Sequence, residues 1–439
     1  MRDELREAWD EMLAAFGTAR DAIDDPALYP PPPSDRVLAE GYRYLAGWIF
    51  GGVERAFLSD PEFPYFRRAI QPMDKATIDN ADGLYLCADI DGTQSYRISG
   101  RIVDGAPPQY FIFEATTAYA GDSGSLAELA PGGRYNTGRI DSTELVTDAD
   151  GSFEILLAPS RPDGYEGNFI CSRREREGAM QTSRFVVLRE LFHDWDHEQL
   201  LDVAIHRIGG EGSHPAALDA DGAARRLRRV GEIVRNQMLF WNEFYAVVLE
   251  AHEDMNGDGK RFMPRNAFNE PAGANLATGG GQSTNVYAGG VYELGPEEAL
   301  VVEVRTPVAA DYQGFHLSNL WGESLDYANH QSSLNVHQAE PDDDGEGDDG
   351  EGVLRYVVAH RDPGVPNWVD TTGLPEGFMA QRWTYADTPA EMPTIAATVV
   401  PFDAVRDHLP ASTRTVFPDE RRRTIHARQR HVQRRYRQY

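Results

Sequence analysis

Hydrophobic residues recur along this chain with two different periods, and the places where the period changes divide it. Residues 4 to 17 set Leu5, Trp9, Met12, Leu13 and Phe16 at helical spacing among charges, which predicts one amphipathic face. The run YPPPPSD (29 to 35) stops that helix, because successive prolines cannot continue it. Ser34 or Asp35 then caps a second helix, VLAEGYRYLAGWIFGGVERAF, whose apolar residues surround most of its circumference and predict burial. From Tyr85 the period becomes two, in LYLCADI, SYRISGRI, QYFIFEATT, SFEILLA, NFICS and RFVVLRELF, with Gly, Pro, Asp and Asn between the runs. Short alternating runs separated by turn residues indicate an antiparallel sandwich, jelly roll or barrel. Residues 220 to 253 return to helical spacing with a broad stripe through Val230, Val234, Met238, Trp241 and Tyr245, read as core and not as a cofactor box.

The period of two resumes in GGVYELG, EALVVEVRT, YQGFHLSNLW, VLRYVVAH, NWVDT, FMAQRWTYAD and TIAATVVPF. Two stretches then align: SFEILLAPSRPDGYEGNFI with SRFVVLRELFHDWD, against VLRYVVAHRDPGVPNWVDT with GFMAQRWTYADTP. In this alignment Asn168 corresponds to Asn367, Phe169 to Trp368, Arg189 to Arg382, Phe192 to Tyr385 and Asp194 to Asp387; QYFIFEAT matches DYQGFHLS. A motif order shared by both halves indicates duplication. The expected fold is mainly β with helical additions (α+β), built from two jelly-roll or β-sandwich-like repeats. The divisions are an N-terminal helical region (1–80), a first β unit (81–205), a linking helix (216–256), a second β unit (280–405) and a basic C-terminal helical tail (406–439).

Charge adds a second layer. The net charge is −28, and of 42 basic residues only Lys75 and Lys260 are lysines. Such a surface fits a high-GC source, either salt-adapted or ordinary, and it argues against nucleic-acid binding by the body of the protein, since phosphate contacts need clustered cations. The run PDDDGEGDDGEG (341 to 352) predicts a solvated, mobile loop, whereas ERRRTIHARQRHVQRRYRQY reverses the sign. Ile425, Val432, Tyr436 and Tyr439 share one helical face there, for docking onto the acidic body or onto a second copy in a homo-oligomer, with a nucleic-acid arm as the alternative. Cys87 and Cys171 lack CxxC spacing, the N-terminus lacks an apolar signal core, and no run reaches the roughly 18 apolar residues of a membrane span. The expectation is a cytoplasmic protein.

The segments GYRYLAGWIF, IDNADGLYLCADIDGTQSYRISG, LRELFHDWD, YELGPEEALVVE, FHLSNLWGESLDYANHQSSLN, GVPNWVDTTG and HVQRRYR resemble long bacterial and archaeal members of the domain of unknown function 1214 family. That family is similar to tandem jelly-roll proteins carrying a related domain. The resemblance spans roughly residues 35 to 439 and implies a fold, with no particular reaction.

The densest polar stretch is DYQGFHLSNLWGESLDYANHQSSLN (311 to 335). On a strand His316 and Ser318 share one face and Phe315 and Leu317 the other; beyond Trp321 the chain leaves the strand and sets Glu323, Asp326 and His330 at a rim. Carboxylates beside an imidazole suit general acid–base work, so these three are the candidate proton carriers. Trp321 and Trp368 are candidate walls, with Tyr327, Asn335 and Arg382 as further substrate contacts. Because Arg189 and Arg382 repeat, arginines bonding carbonyls or carboxylates between sheets are favoured, with anion binding in one repeat as the alternative.

Two metal readings are set aside. HDWDHE places His193 and His197 four apart but has Asp194 where a zincin has glutamate, and His193 closes a strand. DMNGDGKRFMPR (254 to 265) begins like a calcium loop at Asp254, Asn256, Asp258 and Gly259, yet ends on Arg265 where a bidentate glutamate belongs; calcium is the one cofactor with any sequence support. The functional expectations are a hydrolase or lyase acting on a small, partly apolar molecule in a pocket of the second β unit; a non-catalytic module for a lipid, terpenoid or carbohydrate; or an assembly protein.

Overall fold

The computed structural model describes residues 2–24, 34–130, 133–250, 263–273, 282–342 and 353–437. The calcium-like positions Asp254 to Gly259 and most of the acidic run 341–352 lie outside the described residues. Arg265 is described, and it pairs with Glu293 and Glu376 at 2.8 and 3.2 Å.

Two sandwiches carry the fold. In the first, the five-stranded sheet runs β1 (Arg67–Ile70), β2 (Gly83–Asp89), β10 (Phe185–Leu191), β4 (Tyr110–Thr116), β5 (Asn136–Asp141). Its four-stranded partner runs β11 (Asp202–Arg207), β3 (Tyr96–Arg101), β6 (Ser152–Ala158), β7 (Asn168–Cys171), and a ribbon of β8 (Arg173–Arg176) and β9 (Ala179–Thr182) stands beside them. Alternation sends Phe111, Phe113 and Ala115 inward against Ile98, Ile155 and Leu188.

The second sandwich repeats the first, strand for strand. Its sheets run β12 (Ala272–Gly273), β13 (Asn285–Glu293), β19 (Glu376–Thr384), β15 (Tyr312–Ser318), β16 (Ser333–Asn335), and β18 (Trp368–Asp370), β17 (Val353–Ala359), β14 (Glu298–Arg305), β20 (Thr394–Pro401). Even the one parallel pair recurs, as β6–β7 and β17–β18. The register places Arg189 between Tyr85 and Ile112, and Arg382 between Tyr287 and Gly314. Asn168 brackets Val146 through its N–H and C=O, and Asn367 brackets Glu340 in the same way. The sequence alignment of the two halves therefore holds at the level of single hydrogen bonds.

The second faces of β4 and β15 turn toward the opposite unit, which is why both strands are buried throughout. Tyr110 Oη donates to Thr284 Oγ1 at 3.2 Å, and Tyr312 Oη donates to Asp82 Oδ2 at 2.7 Å. Asp82 also accepts from Trp195 Nε1 at 2.8 Å and Asn335 Nδ2 at 3.0 Å. One buried carboxylate thus joins groups from both units.

Four α-helices among the described residues close the structure. In α1 (Arg2–Asp24) the buried face is Ala8, Met12, Ala19, Ala22 and Ile23, while Trp9 and Leu13 are exposed. The small residues win because α1 lies close on α3 (Ala220–Glu250), where a Cβ on Gly231 would stand 3.0 Å from Met12 Cα. Ser34 caps α2 (Asp35–Leu58) by accepting from Val37 N–H, and Gly41 of α2 lets the Trp321 ring sit against the helix backbone. The seam of α4 (Pro418–Arg437) differs from the apolar face expected. Arg421, Arg428 and Arg435 recur every seven residues and are buried with His431 and Val432, whereas Ile425 is only partly covered and Tyr439 lies outside the described residues. These guanidiniums are tolerated because they reach fixed oxygens: Arg428 donates to Tyr327 O at 2.8 Å, Arg435 to Ala81 O at 2.7 Å and Arg421 to Val365 O at 2.8 Å. Burial pushes His431 down to about 2, and the neutral ring accepts from Arg435 at Nε2 while donating to Trp195 O. Among the described residues no helix is long and apolar enough to cross a membrane.

Asn335 donates to Asp82, Phe192 O and His193 O and accepts from the His337 and Gln338 amides. Asn335→Ala strands several buried groups, so urea denaturation should show a loss of about 3 kcal/mol; a loss under about 1 kcal/mol would remove Asn335 from the joint.

Candidate functional site

A partly open cavity of about 650 Å³ lies where the outer faces of the two five-stranded sheets meet α2 and α3. The first unit supplies Tyr85, Cys87, Phe185 and Val187, the second Tyr287 and Ala380, and the helices Trp48, Trp241, Phe244 and Tyr245. The α3 stripe read as core is core along Val230, Val234 and Met238, but its Trp241 and Phe244 edge also walls the cavity. Strand alternation explains the rest: odd positions on β2 and β10 face away from the sandwich interior, toward the second unit.

Among the described residues, five guanidiniums line this apolar space. Arg55 is neutralised by a bidentate pair with Asp122 at 2.6 and 2.8 Å, and Arg189 by an ion pair with Glu114. Arg134 donates through Nε to Ala118 O at 3.0 Å, and burial lowers its pKa. Arg67 donates to Tyr119 Oη at 3.1 Å and Arg382 to Ile78 O, while the Nε of each finds no partner among the described residues. Neither these two nor Arg134 forms an ion pair with a described carboxylate. Tyr119 Oη in turn donates a hydrogen bond to Asp89 Oδ1 at 2.8 Å.

The connector between β1 and β2 forms one end of the cavity under strain. Thr77 and Ile78 have φ of 67° and 52°, a left-handed conformation that β-branched residues avoid. It is held from the second unit: Ile78 N–H donates to Gly322 O at 2.7 Å, and Asp79 accepts from Ser324 N–H and Oγ at 2.8 and 2.7 Å. Lys75, a buried residue, donates to Ser324 O and Leu325 O at 2.8 and 3.2 Å. Asp74 also faces the cavity, and burial, with the Glu54 carboxyl nearby, pushes it up to about 8.

The residues singled out from sequence are scattered. Arg382 lines the cavity; His330, Asp326, Glu323, Trp321, Tyr327, Asn335 and Trp368 do not. His330 Nδ1 lies 2.8 Å from Asp370 Oδ2 on a half-exposed rim, and exposed Asp326 accepts from Asn329 in a turn. Glu323 is buried 2.5 Å from Arg43 beneath α2, where burial pushes it up to about 7. The three proton carriers are thus engaged separately. Trp321 Nε1 donates to Val37 O, Trp368 Nε1 to Ala359 O, and Tyr327 shares a hydrogen bond with Tyr436. In HDWDHE, buried His193 accepts from Gln313 N–H whereas exposed His197 sits on Asp194, so the two rings serve different contacts. Arg67, Arg134 and Tyr119 escaped the sequence reading, because the cavity draws on elements far apart in the chain.

Fold and site together define a tandem β-sandwich protein with a polar-studded apolar cavity between its repeats. The crystal structure of an uncharacterized protein from Burkholderia cenocepacia is similar over 92% of this chain and 100% of its own, at 26% identity and a TM-score of 0.75. The VPA0106 protein from Vibrio parahaemolyticus matches more loosely, at 11% identity and a TM-score of 0.42 over 88% of this chain and 100% of its own. No family model matches the chain, and no curated protein does.

Asp74 generates a prediction with a definite sign. Its folded pKa of about 8 lies above the ordinary 3.8, so the stability its neutral form contributes is full below pH 4 and lost as pH rises to about 8. Asp74→Asn should therefore match wild type near pH 4 and exceed it by on the order of 2 kcal/mol at pH 8. Parallel pH–stability curves for the two proteins would mean that Asp74 ionises freely.

Proposed function

We propose that the protein binds a small, largely apolar molecule in the cavity between its two β units. The observation that carries this is the cavity itself: about 650 Å³, walled largely by aromatic and aliphatic side chains from both sheets and both helices, with arginines and a few carboxyl and amide groups set among them. Ligand sites typically span about 300–1,000 Å³ with such walls, and they favour junctions between domains. The strained Thr77–Ile78 turn at one end supports the reading, since strain of this kind clusters at ligand clamps. The site draws on both units, where the sequence had suggested a pocket of the second alone. Of the ligand classes weighed, a lipid or terpenoid suits this lining better than a carbohydrate, which needs many paired hydrogen-bond donors and acceptors.

A hydrolase or lyase acting in the same cavity is the second reading, favoured by Asp74. A carboxyl kept neutral near pH 7 at the wall of an apolar site is suited to give a proton to a bound molecule. The resemblance to the domain of unknown function 1214 family fits either reading.

N-Phenyl-1-naphthylamine, a neutral dye that brightens in apolar surroundings, provides the test. It should bind the protein saturably, and Ala69→Trp, which fills the cavity from edge strand β1, should weaken binding by about ten-fold or more. Saturable binding unaffected by Ala69→Trp, or no binding at all, would contradict the proposal.

A further inference from the structure

The duplication gives this cavity an internal control on charge. In the first unit Arg189 projects from β10 beside Glu114 of β4, and the two pair. The second unit repeats the arginine at Arg382, but the position equivalent to Glu114 is His316. His316 is fully buried, and burial together with the nearby Arg382 charge holds its pKa well below the ordinary value, so it is neutral and supplies no counter-charge. Arg382 is 7% exposed, spends one nitrogen on Ile78 O, stands 5.6 Å over the Tyr287 ring, and has no partner for Nε among the described residues. A buried cation without a carboxylate costs several kcal/mol unless something anionic meets it. Arg67 and Arg134, also without described ion pairs, line the same cavity, and the Asp74 carboxyl there is held neutral. Asp79 and Glu270 line it too, Asp79 bound by Ser324 N–H and Oγ, so the cavity combines apolar walls with three guanidiniums that have no ion-paired carboxylate among the described residues.

We propose that the ligand is an amphipathic anion, an organic carboxylate or a phosphate monoester, whose head oxygens meet Arg382 and whose apolar body fills the aromatic remainder. The inference rests on the reading that the cavity takes an apolar molecule, and it adds the head group. A guanidinium fork suits both kinds of head, each offering two oxygens in a plane. The second unit has His316 where the first has Glu114, and this difference leaves Arg382 open to an external anion.

The experiment is displacement of bound N-phenyl-1-naphthylamine at pH 7 by dodecanol, dodecanoate and dodecyl phosphate, which share one chain and differ in the head. Both anions, or one of them, should displace the dye at concentrations about ten-fold or more below dodecanol; which anion is stronger assigns the head as carboxylate or phosphate. Arg382→Met should bring the anion-to-alcohol ratio close to one. His316→Glu rebuilds the pair of the first unit while keeping the arginine, and it should abolish the anion preference as well, so the outcome does not hang on the folding of a single variant. Dye that binds but yields equally to dodecanol and both anions overturns the head-group inference and leaves the apolar site standing. An anion preference that survives in both variants overturns the role of Arg382. Dye that never binds removes the apolar site, and this inference with it.

Discussion

The carboxylate of Asp82 is the point on which the two halves of this molecule depend. It is 1% exposed and receives Trp195 from its own unit and Tyr312 and Asn335 from the other. Burial pushes its pKa up, while those donors and the charges of Arg435 and Arg428 on α4 draw it down. Such a group is costly to bury and more costly to strand, so the partners around it must all be in place together. That requirement locks the two sandwiches to each other. In the equivalent position of the second unit Thr284 makes only a neutral contact with Tyr110. The repeats are therefore alike in topology and unlike in charge.

The same division runs through the rest of the two repeats. Where the repeats keep their shared residues, as at Asn168 and Asn367, the contacts are structural and duplicated. Where they diverge, as Glu114 and His316 do, a polar group is left facing the cavity without its sister's partner. Lys75, the one described lysine, belongs to the divergent set: it is buried against the carbonyls of Ser324 and Leu325 and 4.4 Å over the Tyr327 ring, fastening the strained connector to the second unit. A compact ammonium reaches two adjacent carbonyls there without the width of a guanidinium fork.

Much of the architecture was legible because it follows local rules. Alternation marked the strands, the helical stripe from Val230 to Tyr245 marked α3, and turn residues marked the repeat boundaries closely enough for Arg189 and Arg382 to be matched. The site was less legible. The polar stretch 311–335 drew attention because polar residues usually signal chemistry, yet here Asn335 and Trp321 satisfy buried groups of neighbouring elements and Glu323 pairs with Arg43 of α2. Composition cannot distinguish a polar group that serves a ligand from one that serves a backbone carbonyl, since both need the same atoms. The usable signal lay in the alignment of QYFIFEAT with DYQGFHLS, where a glutamate beside one arginine faces a histidine beside the other. An amphipathic face on α4 was read from Ile425, Val432 and Tyr436, but arginines fill most of the seam, because oxygens of the opposing loops can bind them.

The most direct measurement is a crystal structure of the protein grown with saturating dodecanoate. The arrangement of charge predicts one chain in the cavity between the sandwiches, its carboxylate within hydrogen-bonding distance of the Arg382 guanidinium and its tail along Trp241 and Phe244. A carboxylate bound elsewhere on the protein, or a cavity left without the chain at saturation, would contradict the claim that the space between the repeats is a receptor for an apolar anion.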